Sequence, residues 1–209
     1  MKYKLVIFDF DGTLADSFPF FLRAVNALAE KHHFRKIDPE QVETLRHYDA
    51  KRIIKQLRIP LWKVPIVAAL FRKSMARNVA HIPMFPAVTE MLHTLSRQGI
   101  ILSLVTSNSH ENVLKILGEE NTGLLRYPQY GTSLFGKASK LKTILRKSGL
   151  AAGDAIYIGD EIRDLNAARD VNMDFGAVAW GYTKGDALME HSPAEMFFSV
   201  GEIAEKLAR

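Results

Sequence analysis

Two aspartates stand one residue apart near the beginning of the chain. Asp9 and Asp11 directly follow the apolar run "KLVIF", which is typical of a buried strand. Two carboxylates held this close repel each other unless a cation lies beside or opposite them. The pair could form a reactive site or a solvated acidic turn, and the rest of the chain must decide between these two interpretations.

Other polar groups also follow apolar segments along the chain. Thr106, Ser107 and Asn108 follow one such segment, and the sequence "GDEIRD", residues 159–164, follows another. Lys137 stands in a loop before a helical pattern. In an open parallel sheet, ligands lie beyond the carboxyl ends of the strands, so we expect these groups to converge on one crevice. Crowded carboxylates without Cys or clustered His suit Mg²⁺, which the sequence therefore predicts as the cofactor.

The elements that position these groups alternate between strand and helix. Strand-like runs occupy residues 4–8, 99–106, 154–160 and 175–180. Amphipathic patterns predict helices at residues 87–99, 137–149 and 161–170. Nearly continuous apolar strands indicate a parallel sheet that is covered on both faces. The sequence thus predicts an α/β fold with a Rossmann-like parallel-sheet core and right-handed βαβ crossovers.

One long interval interrupts this alternation. Residues 18–83 show helical patterns but no convincing strand. The interval also holds the positive charge, because residues 15–85 contain 13 Lys and Arg against 6 Asp and Glu. We interpret it as an α-helical cap inserted after the first strand. Basic residues in "RHYDAKR", residues 46–52, are candidates for contacting an anionic leaving group.

This interpretation divides the chain into two units. We assign residues 1–14 and 84–209 to the α/β catalytic core, and residues 15–83 to the helical cap. Trp62 and the apolar run of residues 64–71 are expected to form the interior of the cap rather than a cofactor site.

The composition limits the classes of protein to which the chain can belong. It has 209 residues, 47% of them hydrophobic, and no Cys, which excludes disulfides and thiolate metal sites. The longest apolar run is far shorter than a membrane span, and no signal peptide is evident, so we expect a cytoplasmic protein that binds no membrane. The net charge of +5 is not accompanied by zinc-finger spacing or an RNA-binding aromatic pattern, so nucleic acid is disfavoured as a partner. The oligomeric state is not predicted.

The order and spacing of the motifs resemble those of the haloacid dehalogenase-like hydrolase superfamily. "DFDGT", residues 9–13, is similar to the family's first motif, and "VTSN", residues 105–108, to its second. Lys137 matches the third motif, and "IGDEIRD", residues 158–164, matches the fourth. Within the superfamily, the chain looks like the phosphatases that carry a helical cap, and it is similar to phosphoglycolate phosphatases.

The resemblance implies a role for each acidic residue. Asp9 would be the nucleophile that forms an aspartyl-phosphate, and Asp11 would act first as general acid and then as general base. Asp9, Asp11 and Asp160 would bind the metal, Asp11 through its main-chain carbonyl. Asp164 and Glu161 would orient a metal-bound water or the lysine. The alternative for these last residues is the capping of a helix by acidic side chains.

The resemblance also implies a phosphate-binding loop. Thr106, with the backbone N–H groups near Ser107 and Asn108, would hold the phosphoryl oxygens. A simple strand-to-helix turn with a Ser or Asn cap is the alternative.

A lysine is implied as well, and here the chain departs from the family pattern. Lys137 would neutralise charge on the phosphoryl group and on Asp9. The family usually has proline after this lysine, whereas this chain has Ala138, which leaves Lys140 as a rival for the catalytic lysine.

The function implied is that of a Mg²⁺-dependent phosphatase acting on a small phosphorylated metabolite. A phosphomutase on the same scaffold and a phospho-accepting signalling domain remain as alternatives. A signalling domain would place its acceptor aspartate on a later strand and would need no helical insertion.

Overall fold

The core of the protein is a five-stranded parallel sheet. The computed structural model describes residues 2–134 and 136–208. The strands are β1 (Leu5–Phe8), β2 (Ile101–Leu104), β3 (Ala155–Gly159), β4 (Asp174–Val178) and β5 (Glu195–Phe197). Their order is β2-β1-β3-β4-β5, and every neighbouring pair is parallel. The predicted α/β fold with a Rossmann-like sheet is confirmed.

Helices occupy the cap and both faces of the sheet. The helices before β2 are α1 (Phe18–His32), α2 (Val42–Leu45), α3 (Ala50–Gln56), α4 (Val64–Asn78) and α5 (Val88–Arg97). The helices after β2 are α6 (His110–Gly123), α7 (Lys137–Ser148), α8 (Ile162–Arg169), α9 (Gly185–Met189) and α10 (Val200–Leu207). Within the described residues, no helix is long and apolar enough to cross a membrane.

The sheet is buried on both faces, as its continuous apolar strands predict. All four side chains of β1 are fully buried. Val6 and Phe8 belong to one apolar cluster, which includes side chains of α5 and α10. Leu5 and Ile7 belong to a second cluster, which includes side chains of α7 and α8. Alternate residues of one strand therefore fix helices on opposite sides of the sheet.

The strand register brings the polar groups to one edge. Phe8 of β1 pairs with Leu104 of β2 on one side and with Ile158 of β3 on the other. The backbone N–H of Asp9 donates to the carbonyl of Ile158 at 2.8 Å, so Asp9 stands beside the end of β3. The residues that follow the three strands therefore share one carboxyl edge, where ligands are expected to bind.

The edge strand β5 was not predicted from the sequence. It has only three residues, and two of them are half-exposed. A segment this short carries too few residues to show either an alternating or a continuous apolar pattern.

The helical insertion has an apolar cluster of its own, formed by Val25, Ala29, Phe34, Ile37 and Leu57. The two chain segments that join it to the sheet are hydrogen-bonded to each other: Asp16 N–H donates to the Pro83 carbonyl, and Phe85 N–H donates to the Leu14 carbonyl, both at 2.9 Å. This pairing supports the division into a core of residues 1–14 and 84–209 and a cap of residues 15–83, which stays a prediction.

The expected interior of the cap is wrong in one respect. The side chain of Trp62 is 69% exposed, and none of residues 64–71 is fully buried. A small helical layer cannot enclose both sides of α4, so its apolar residues are shared between helix contacts, solvent and a cavity.

Candidate active site

A buried lysine lies between two aspartates. Asp9 is the first residue after β1, and Lys137 is the first residue of α7, one position beyond the loop in which the sequence analysis places it. The Lys137 Nζ atom lies 2.7 Å from Asp9 Oδ2 and 2.5 Å from Asp164 Oδ1. Burial alone would lower the pKa of Lys137, but the carboxylates of Asp164 and Asp9 outweigh it and raise the pKa. The side chain is therefore a charged ammonium.

The rival lysine lies elsewhere. Lys140 is half-buried one helical turn further along α7. Among the described residues, its side chain has no hydrogen bond or ion pair, whereas Lys137 contacts Asp9 directly. The structure thus brings Lys137, and not Lys140, to the predicted nucleophile.

Asp160 is held from two sides. The Thr13 hydroxyl donates to Asp160 Oδ1 at 3.0 Å, and the backbone N–H of Tyr182 donates to Oδ2 at 2.7 Å. Gly12 has a φ of +77°, and a Cβ atom there would lie 2.2 Å from Asp160 Oδ2. The turn after β1 therefore requires glycine both for its conformation and for the close approach of Asp160.

Asp11 points towards a chain of amides. The Asn108 Nδ2 atom donates to Asp11 Oδ2 at 3.3 Å, and Asn112 Nδ2 of α6 donates to Asn108 Oδ1 at 2.8 Å. Burial raises the pKa of Asp11, while hydrogen bonds from Ser17 and Asn108 partly offset this rise. Asp11 therefore has an environment different from that of Asp9, which lies beside an ammonium.

The loop after β2 forms only part of the expected phosphate cradle. Thr106 and Asn108 are buried, and Ser107 lines a cavity. The backbone N–H of Asn108 donates to Thr106 Oγ1 at 2.9 Å. This N–H group was expected to hold a phosphoryl oxygen, and in the structure it instead fixes the loop. The Thr106 hydroxyl, which accepts that bond, keeps its own proton for donation.

Four carboxylates crowd together at the edge of the sheet. One oxygen from each of Asp9, Asp160, Glu161 and Asp164 lies within 4.8 Å of the others. Asp164 Oδ2 is buried and has no hydrogen-bond partner among the described residues, and Asp9 Oδ2 is buried beside the Lys137 ammonium. Burial, together with the charges of Glu161 and Asp9, raises the pKa of Asp160 well above its usual value. This set of hard oxygen donors fits a divalent cation such as Mg²⁺.

The neighbours of Glu161 and Asp11 bear on the roles predicted for them. Glu161 belongs to the acidic group, and its carboxylate is also paired with Arg163 of α8. The side chain of Asp11 is not a member of the group. Because this side chain is directed towards Asn108, the main-chain carbonyl remains the metal ligand predicted for Asp11.

A cavity connects the acidic edge to the cap. Its volume is about 220 Å³. Asp11, Ser107 and Glu161 line it on the core side, and side chains of α1, α3 and α4 line it on the cap side. A ligand bound at the carboxylates therefore has room to extend between the cap helices.

The cap is fastened to the core by Arg46. Its guanidinium donates to the carbonyls of Gly181 at 2.7 Å and Tyr182 at 3.1 Å. In return, the backbone N–H of Lys184 donates to the Arg46 carbonyl at 2.9 Å. Arg46, one of the residues expected to contact an anionic leaving group, thus binds the loop after β4.

The comparison with known protein families identifies the chain. The sequence profile of the haloacid dehalogenase-like hydrolases matches residues 6–178. The chain belongs to this family. The match begins in β1 and ends in β4, so it includes every acidic residue of the site. The predicted family is confirmed.

Two curated relatives of this haloacid dehalogenase-like hydrolase are named as phosphatases. A phosphoglycolate phosphatase from Synechococcus elongatus is 29% identical over 191 residues, which cover 91% of this chain and 90% of the relative. An N-acetylmuramic acid 6-phosphate phosphatase from Pseudomonas aeruginosa is 25% identical, over 87% of this chain and 84% of the relative. They confirm the predicted enzyme class, that of phosphoric monoester hydrolases.

Solved structures of other proteins have the same fold. A haloacid dehalogenase-like hydrolase from Streptococcus pneumoniae is 20% identical and superposes with a TM-score of 0.79 over 98% of each chain. The CbbY protein of Rhodobacter sphaeroides, solved in complex with phosphate, is also 20% identical and has a TM-score of 0.74 over 96% of each chain.

Several residues of this hydrolase's site were not predicted from the sequence. They are Thr13, Ser17, Asn112, Arg163 and Tyr182, each of which contacts a predicted site residue or its ion-pair partner. Tyr182 could have been found, because "WGYT" follows β4 at the same carboxyl edge as the other motifs.

Proposed function

We propose that this haloacid dehalogenase-like hydrolase is a Mg²⁺-dependent phosphatase that cleaves small phosphate monoesters through an aspartyl-phosphate on Asp9. The observation that carries the proposal is the Lys137 ammonium, which lies 2.7 Å from Asp9 and 2.5 Å from Asp164. A cation in this position can neutralise a phosphoryl group beside the nucleophile. The names of the relatives, among them phosphoglycolate phosphatases, support this reaction.

In the first step, a carboxylate oxygen of Asp9 attacks phosphorus and forms a new oxygen–phosphorus bond. The bond between phosphorus and the ester oxygen breaks, and the leaving oxygen takes the proton of Asp11. Asn108 and Ser17 hold the carboxyl group of Asp11 by hydrogen bonds, which keeps it beside the reaction. The products are a free alcohol and the phosphorylated Asp9.

In the second step, water attacks the phosphorus atom of the phosphorylated Asp9. The Asp11 carboxylate takes a proton from this water, and the bond between phosphorus and Asp9 breaks. Inorganic phosphate leaves, Asp9 is again a carboxylate, and Asp11 is again protonated. Two aspartates are needed because the one bonded to phosphorus cannot also move protons.

Asp9, Asp160 and the main-chain carbonyl of Asp11 would hold Mg²⁺, which when bound supplies positive charge to the phosphoryl oxygens. Thr13 and the Tyr182 N–H group hold Asp160 in place. Asp164 accepts a hydrogen bond from Lys137 and fixes the ammonium between the two aspartates. The Thr106 hydroxyl and the Ser107 loop would donate to the remaining phosphoryl oxygens.

The proposal also includes the class of substrate and the location of the enzyme in the cell. The relatives support a small phosphorylated metabolite as substrate. The absence of Cys from the sequence is compatible with a reducing cytoplasm, which we propose as its location.

The substitution Asp9→Asn tests the proposed nucleophile. We expect kcat to fall more than about 1,000-fold, because the amide cannot form the acyl phosphate. The melting temperature should be unchanged or raised, because one of four crowded carboxylates loses its charge. Asp154→Asn is the matched control, because Asp154 precedes β3 at the opposite edge of the sheet and pairs with Lys4. Activity of Asp9→Asn within tenfold of the native enzyme would exclude the assignment.

A further inference from the structure

The cavity between core and cap has two chemically different ends. The cap side is lined by apolar side chains, among them Phe18, Phe21, Val25, Ile53, Val67 and Phe71. Most of these side chains are only half-buried, although they are large and apolar. Val25 belongs to the apolar cluster of the cap, and Phe21, Ile53 and Val67 pack against it. The parts of these side chains that the cluster does not cover form the wall of an apolar space.

Of the five charged residues among the described lining, three lie at the core end. Asp11, Glu161 and Arg163 belong to the core. The guanidinium of Arg46 is bound to the carbonyls of Gly181 and Tyr182, as described above. The main chain of Arg72, the remaining charged residue among the described lining, contacts Asn112 of core helix α6. The side chains that line the space between α1, α3 and the middle of α4 are mostly apolar.

The size of the cavity excludes a close fit to a two-carbon acid. An apolar cavity of about 150 Å³ is large enough for benzene, and this cavity measures about 220 Å³. A glycolate leaving group would leave most of this space unfilled. If its carboxylate extended beyond the core end, it would face the apolar walls of the cap, where an unpaired charge is strongly unfavourable.

We propose that the preferred substrate is a phosphate monoester of an uncharged alcohol with an apolar body, aromatic or branched aliphatic, which occupies this cavity. The inference rests on the proposed phosphatase function and specifies its substrate class. The phosphoryl group binds at Asp9 and Lys137, and the apolar body extends past Asp11 and Ser107 between the cap helices. Specificity then comes from burial of apolar surface and not from a cation in the cap.

A pair of esters with similar alcohols tests the proposal. Ethyl phosphate and 2-phenylethyl phosphate both release primary alcohols, so their chemical reactivities are close and the main difference is the apolar ring. With Mg²⁺, we expect kcat/KM to be about 10- to 150-fold higher for the phenylethyl ester, which corresponds to the roughly 1.5–3 kcal/mol of burying a Phe-sized group. 2-Phosphoglycolate should be at least about tenfold poorer than the phenylethyl ester. Equal values for the two esters, or a preference for phosphoglycolate, would overturn the proposal.

Two neighbouring alanines of α4 provide matched variants. Ala68 lines the cavity, whereas Ala69 is exposed. Ala68→Leu should reduce kcat/KM for 2-phenylethyl phosphate about tenfold or more and leave ethyl phosphate nearly unchanged. Ala69→Leu adds the same atoms to the outer face and should change neither. If the ratio of the kcat/KM values for the two esters is the same in Ala68→Leu as in Ala69→Leu, the apolar body does not bind in this cavity.

A binding measurement separates failure of the inference from failure of the proposed function. 3-Phenylpropylphosphonate and propylphosphonate cannot be hydrolysed, and calorimetric titration measures their affinities without turnover. If the enzyme hydrolyses no phosphate ester, the proposed function fails. The apolar site is still supported if the phenylpropyl compound binds at least tenfold more tightly than the propyl compound and if Ala68→Leu reduces this difference. Equal affinities for the two phosphonates exclude it.

Discussion

Lys137 illustrates how a side chain can be placed by the helix on which it lies. The Gly136–Lys137 junction starts α7, and this start directs the ammonium back to Asp9 and Asp164. The proline that usually follows this lysine in the family would stand in the first turn of the helix, where proline is tolerated because its missing N–H has no partner there. Ala138 occupies the same turn, so the position of the lysine does not depend on the proline.

For this single residue, we predict that Lys137→Ala lowers kcat/KM about 10²–10³-fold. The lost ammonium stabilises phosphoryl charge in a buried site, an effect of a few kcal/mol. Lys140→Ala on the same helix is the control. It should remain near native in rate and within about 0.5 kcal/mol in the free energy of unfolding. Both variants should be measured with the best ester found for the native enzyme.

The opposite pattern would reverse the assignment. A large loss of activity in Lys140→Ala, with Lys137→Ala near normal, would mean that α7 starts later in solution and presents a different lysine to Asp9.

Among the elements, four of the five strands could be predicted to within two residues at each end. Their apolar runs are long enough to distinguish buried strands, and three of the four runs lead directly into a polar motif. The convergence of Asp9, Thr106 and Asp160 follows from parallel pairing alone, because parallel strands end at one edge. This part of the site needed no tertiary information.

Other features of the site and cap depend on contacts between distant segments. The hydrogen bond from the Asn108 N–H to Thr106 depends on the conformation of the loop. The exposure of Trp62 depends on how the cap helices pack. The position of Tyr182 after β4 indicates the correct edge of the sheet, but its hydrogen bond to Asp160 also requires the β4 loop to reach a residue 22 positions earlier. None of these arrangements has a periodic pattern in the sequence.

The contact between cap and core leads to a prediction of its own. Arg46→Ala removes two charge-assisted hydrogen bonds to the carbonyls of Gly181 and Tyr182. We expect kcat/KM to fall about 10- to 100-fold, because an open cap neither excludes water nor fixes the loop that holds Asp160. Backbone hydrogen exchange in residues 181–184 should become faster. Arg23→Ala removes the same charge from an exposed site on α1 and should leave both quantities unchanged.

Unchanged hydrogen exchange in Arg46→Ala would contradict the role of this residue as the fastening of the cap. A loss of activity without faster exchange would instead indicate direct contact between Arg46 and the substrate.

At the scale of the whole molecule, the catalytic edge is acidic although the net charge is positive. The protein carries +5 overall, and its basic residues are concentrated in the cap. The catalytic edge nevertheless gathers Asp9, Asp160, Glu161 and Asp164 around one ammonium and one guanidinium. Repulsion among these buried and half-buried carboxylates opposes folding. A bound cation relieves it only in the folded state, so metal binding and stability should be coupled.

The last prediction is that Mg²⁺ raises the melting temperature and that EDTA reverses this effect while abolishing activity. At a concentration about 100 times its dissociation constant, a ligand specific for the folded state contributes about 2.7 kcal/mol, which for a chain of this size corresponds to roughly 5–10 °C. Asp160→Asn should lose most of the shift and require more Mg²⁺ for activity, while Asp154→Asn should retain both native responses. NaCl at matched ionic strength controls for screening. If the melting temperature and the rate of hydrolysis of the native enzyme are the same in Mg²⁺ as in EDTA, the acidic group is not a metal site. Lys137 alone must then neutralise the phosphoryl charge.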